Sequence, residues 1–69
     1  MNNKQMNEFL KDKKIDDGIK FITIDIFGSV HGHIDEPSTF AGLWCWKHRQ
    51  YLGRVESPKN WKKELYTYE

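Results

Sequence analysis

His31-Gly32-His33-Ile34-Asp35-Glu36 is the stretch of this chain whose residue types and spacing come nearest to coordination chemistry. Alternate residues of a strand project from one face, so two imidazoles there can chelate one ion, and Asp35 or Glu36 can add an oxygen ligand. Cys45 with His48 has the residue types of a nucleophile and its base. Catalysis would also need a group to orient the base and an oxyanion site, and no Gly-rich strand-to-helix turn supplies one. The chain has no Gly-x-Gly-x-x-Gly string and no Walker-type loop, so no nucleotide cofactor is expected. It is read as a non-enzyme that carries no cofactor.

The His-x-His-x-Asp string resembles that of metallo-β-lactamase-like hydrolases only in part. Those proteins carry a further His directly after the Asp, where this chain has Glu36, and their scaffold is far larger than 69 residues. Paired strand histidines are surface or filler residues in most proteins. No metal is therefore assigned, and His31, His33 and Asp35 stand as the residues a metal would use.

Binding chemistry is concentrated further along. All three Trp and six of the eleven Lys/Arg fall between positions 44 and 63. Residues 47 to 63 carry Lys47, Arg49, Arg54, Lys59, Lys62 and Lys63 against Glu56 alone, a local charge of +5, whereas the remainder carries five basic and nine acidic residues. Aromatic and Arg side chains are the commonest anchors of a contact surface. Trp46, Lys47, His48, Arg49, Tyr51, Arg54, Lys59, Lys62 and Lys63 are the expected binding residues. The function expected is to modulate or inhibit a larger partner protein by occupying its surface. The alternative is nucleic-acid binding, with the aromatics stacking bases and the cations meeting phosphates. Against it stand a net charge of only +1, a pI near 7.9 and the lack of any recognised nucleic-acid signature. An edge strand such as 39–47 would also allow a homodimer.

Several elements must position these residues. Met6, Phe9, Leu10 and Lys13 follow helical spacing behind Asn2 or Asn3 as cap, so a short helix is expected over the first dozen residues. Ile22, Ile24 and Ile26 alternate with Thr23 and Asp25, which predicts a strand over 19–27 with its isoleucines in the core. A turn at Gly28-Ser29 returns the chain along 30–34. A two-residue loop would put His31 and His33 on the isoleucine face, so a bulge or a longer loop that moves them to the Thr23 side is preferred. Residues 39–47 and 50–56 are read as a second hairpin, with Trp44 over Gly53, Trp46 facing Tyr51 and Cys45 opposite Leu52. Ser57-Pro58 opens a C-terminal helix with Trp61, Leu65 and Tyr68 as its apolar stripe.

The fold class expected is α+β: one small domain over 1–69, with an antiparallel sheet of three to four strands in two hairpins, flanked by short N- and C-terminal helices. A domain of this size buries only about 60% of its unfolded surface, and the single Cys allows no internal disulfide. No apolar run is long enough to span a bilayer and no signal-peptide stretch is seen, so a cytoplasmic location without membrane contact is expected.

Overall fold

The computed structural model describes residues 1–40, 43–45 and 49–68, apart from the side chains of Phe40 and Cys45. Helix α1 (Asn3–Leu10) begins where the sequence supplies a cap. Asn2 Oδ1 accepts from Gln5 N and Gln5 Oε1 accepts from Asn2 N, both at 2.8 Å. Two of the amides that a helix start leaves open are thus satisfied reciprocally. Met6 and Leu10 are buried and Phe9 half-buried, as the spacing requires. Lys13 falls beyond the helix, with its ammonium 4.6 Å from the centre of the Phe9 ring.

The strands are β1 (Phe21–Ile24), β2 (Ser29–His33), β3 (Ser38–Phe40), β4 (Leu43–Cys45), β5 (Arg49–Arg54) and β6 (Leu65–Thr67). Four of them form an antiparallel sheet in the order β5-β2-β1-β6, while β3 and β4 pair separately. The last strand returns beside the first. One face of this sheet packs on α1, and Met6, Leu10, Ile19, Ile22, Ile24, Val30, Leu52 and Tyr66 form the core there.

β1 pairs with β2 in the register Phe21↔His33, Thr23↔His31 and Ile24↔Val30. The loop between them is longer than two residues, and His31 and His33 lie on the Thr23 side, as the preferred register required. Ile26 departs from expectation. β1 ends at Ile24, the chain turns at Asp25, and Ile26 is 42% exposed instead of continuing the core face.

The second hairpin is not formed as expected. Residues 38–40 and 43–45 pair with each other, setting Thr39 opposite Trp44 and Ser38 opposite Cys45, while β5 pairs with β2. Leu52 thereby joins the core, where it is buried beside Ile22 and Val30. Gly53 lies opposite Val30, and a Cβ placed on it would be 3.1 Å from Phe9 Cζ, so α1 covers it and Trp44 does not. Trp44 donates from its indole N–H to Ile24 O at 3.1 Å and stands edge-on to Trp61, with ring centres 6.3 Å apart. The expected pairing of Trp46 with Tyr51 involves a residue outside those described.

The C-terminal helix is also replaced. Residues 61–63 make one 3-10 turn, and Leu65–Thr67 is a strand on β1. A helix this short is marginal without tertiary support. The alternating Tyr66-Thr67-Tyr68 favours the extended state, and β1 offers a ladder: Ile24 N donates to Glu64 O at 3.1 Å and Tyr68 N donates to Lys20 O at 2.7 Å. Ser57, expected as a helix cap, donates from its hydroxyl to Ile26 O.

Two glycines test how tightly the β1–β2 loop is built. Gly28 has φ +85° and a Cβ there would lie 2.1 Å from Val55 O, whereas Gly18 has φ +88° with no atom nearer than 3.9 Å. Gly18→Ala should cost about 1 kcal/mol from backbone conformation alone, and Gly28→Ala more than about 2 kcal/mol. Urea unfolding measures both, and equal losses would mean that Gly28 does not lie against Val55 as described.

Candidate functional site

The β2–β5 register sets His33 opposite Arg49, His31 opposite Tyr51 and Ser29 opposite Arg54. Residues directly opposite share a face. Arg49, Tyr51 and Arg54 therefore project on the histidine face of the sheet, away from α1. A bulge makes this possible. Val30 pairs with Gly53 and His31 with Tyr51, so Leu52 is the extra residue. It turns into the core while Arg54 returns to the histidine face.

The histidines form the floor of this surface. Thr23 Oγ1 and His33 Nε2 share a hydrogen bond of 2.6 Å, and His33 is only 1% exposed. His31 is buried next to it, with ring centres 6.4 Å apart. Tyr51 stands edge-on to His31 at 5.4 Å between ring centres, yet is itself 60% exposed. Burial pushes His33 down to about 4, helped by the neighbouring His31 and the Arg49 guanidinium. Burial and then Arg49 also lower His31, against an opposing pull from Asp25. Both imidazoles are thus held neutral near pH 7.

The structure does not gather His31, His33 and Asp35 into one set of ligands. Asp35 and Glu36 are exposed in the bend beyond β2, and His33 Nε2 is engaged by Thr23. Among the described residues, no group of three His, Cys, Asp or Glu is placed to hold a metal ion.

The expected binding residues are divided. Arg49, Tyr51 and Arg54 are exposed on β5, at one edge of the sheet. Lys59, Lys62 and Lys63 are exposed in the crossover that leads to β6 at the other edge, with Lys62 Nζ 5.9 Å from the centre of the Trp61 ring. Trp46, Lys47 and His48 lie outside the described residues. β5 and β6 are separated by two strands, about 14 Å across the sheet.

A further exposed feature was not foreseen from the sequence. The buried Asp25 carboxylate accepts from Phe27 N at 2.9 Å and Ser29 N at 3.0 Å, and Gly28 N donates to Asp25 O at 3.0 Å. Val55 N donates to Gly28 O at 2.8 Å, which ties the loop to the end of β5. The result is a fixed backbone that leaves Phe27 63% exposed beside the half-exposed Ile26. Asp25 and Gly28 stand at the first and fourth positions favoured in a type I turn, a signal that the isoleucine alternation outweighed.

Comparison with protein-family models, with curated proteins and with solved structures finds no match to this chain.

The neutral imidazoles give a pH dependence with a definite sign. His33 titrates near 4 in the fold and near 6.5 unfolded, so its contribution is complete above pH 6.5 and is lost as pH falls towards 4. The loss should reach as much as about 3 kcal/mol. Denaturant unfolding between pH 7.5 and 4 should show this slope, and His33→Gln, which can still hydrogen-bond Thr23, should flatten it. The same slope in both proteins would contradict a buried neutral imidazole.

Proposed function

We propose that the protein is a non-enzymatic, cytoplasmic binding domain that modulates or inhibits a larger protein by occupying its surface through β5 and the adjoining Asp25–Gly28 loop. The observation that carries this reading is Tyr51, whose ring is mostly in water while one edge rests on the buried His31. An aromatic held this way loses little side-chain freedom on binding, which is what makes such residues anchors. Arg49 and Arg54 flank it on the same face and suit paired contacts with carboxylates. The Val55–Gly28 hydrogen bond brings the exposed Phe27 to the end of the same strand. Two aromatics and two guanidinium groups along one strand and its adjoining loop have the composition of an interface centre.

The division of the cations favours a protein over nucleic acid as the target. Phosphate tracking gains from many cations along one groove, and the three lysines of the crossover stand towards the other edge of the sheet. For the compartment, the support is the single cysteine, which allows no internal disulfide and suits a reducing environment. Among the described residues no helix is long and apolar enough to cross a membrane.

The test is capture from lysate by the tagged protein and by its Tyr51→Ala and Phe27→Ala variants, with and without nuclease, at low and high salt. Phe27→Ala should stay within about 0.5 kcal/mol of the parent in stability, and Tyr51→Ala should remain folded while losing about 1 kcal/mol with its contact to His31. A stoichiometric protein that resists nuclease and salt, and is lost with either variant, is the expected result. Recovery of nucleic acid that elutes at high salt would replace this reading with the nucleic-acid one.

A further inference from the structure

We infer that β5 accepts an extended acidic segment of a partner protein as an additional strand of the sheet. This rests on the reading of β5 as the binding surface and specifies the partner's chemistry. The ladder on the inner side of β5 is known. His33 O accepts from Lys20 N and Ser29 O accepts from Asp25 N, so the odd-numbered residues of β2 are bonded to the β1 side. Gly28 O accepts from Val55 N, so the even-numbered ones face β5. Opposite residues of an antiparallel pair either exchange both backbone bonds or neither. Gly53 and Gln50, opposite Val30 and Gly32, therefore turn their amides and carbonyls inward. Tyr51 and Arg54, opposite His31 and Ser29, turn theirs away from β2. Among the described residues the sheet ends at β5, and no strand lies on that side.

The residues that offer backbone groups outward are thus the ones whose exposed side chains occupy the histidine face. A strand laid against them would meet ladder donors and acceptors together with an aromatic and guanidinium groups. Charge then selects the occupant. Full-length antiparallel pairing of β5 with a second β5 sets Arg49 opposite Arg54 at both ends, and like charges directly opposite are destabilising. A second copy is repelled. A segment with carboxylates at alternate positions places them beside the same two arginines, where paired contacts form. The bulge at Leu52 and the charges at each end blunt the edge against indiscriminate pairing and leave it open to an oppositely charged strand.

The experiment uses the whole protein and three defined probes. One is a short fluorescein-labelled Val/Thr peptide with Glu at alternate positions, the second has Lys in place of each Glu, and the third is a single-stranded oligothymidylate. Anisotropy should show binding of the Glu peptide alone, with amide shifts centred on Tyr51 and Arg54. Arg54→Glu should weaken that binding by at least about tenfold and admit the Lys peptide instead. Equal binding of the two peptides, binding of the oligonucleotide alone, shifts located outside β5, or self-association without any peptide would each overturn the inference. A captured protein that needs Tyr51 and Phe27, in a complex where the Tyr51 amide exchanges as fast as in the free domain, would overturn strand addition while leaving the protein-binding reading intact. Failure of capture as well would remove both.

Discussion

Strand β1 is buried from both sides, and most of the structure follows from that constraint. Ile22 and Ile24 face α1, while Thr23 points the other way and is equally shielded. A chain of 69 residues has too few aliphatic side chains to build two dry layers around one strand. The second layer is therefore polar and hydrogen-bonded. Thr23 meets His33, and a hydroxyl that can donate or accept suits either tautomer of a neutral imidazole. Burial of that layer disfavours charge, and desolvation is accordingly the largest cause that lowers both histidines.

The same requirement places the strands on either side. β2 must lie beside β1 to bring the histidines over Thr23, and β5 beside β2 to deliver Leu52 to the core and Tyr51 to His31. Once β5 takes one edge, the C-terminal residues find their ladder at the other. Trp44 and Trp61 close the end of the β1–β6 pair, where the indole of Trp44 takes up Ile24 O. What remains in water along β5 is an aromatic and two arginines, so the surface proposed to bind follows from how the core is closed.

The sequence revealed those parts of the fold that depend on short-range spacing. The capped helix, the β1–β2 pair and the histidines on the Thr23 face follow from caps, alternation and the cost of placing imidazoles among isoleucines. The partner of β5 was not legible, because the alternation in 49–56 fits a neighbouring hairpin as well as β2. What decides is where Leu52 can be buried, which is a tertiary fact. The C-terminal strand was hidden for a similar reason: Trp61, Leu65 and Tyr68 satisfy a helical stripe, and only the open edge of β1 favours the extended state. Of the expected binding residues, Arg49, Tyr51 and Arg54 do share one face. The three lysines were grouped with them by sequence proximity and not by any pairing rule.

The placement of β5 against β2 is the claim on which the fold and the proposed surface both rest. In the register described, His31 and Tyr51 form a pair without ladder bonds, with Cα atoms about 4.5 Å apart and Hα atoms facing each other. A nuclear Overhauser spectrum of the labelled protein should show a strong Hα–Hα cross-peak between His31 and Tyr51. Cross-peaks joining Tyr51 to Trp46 and Gly53 to Trp44 in its place would restore the local hairpin and contradict the account.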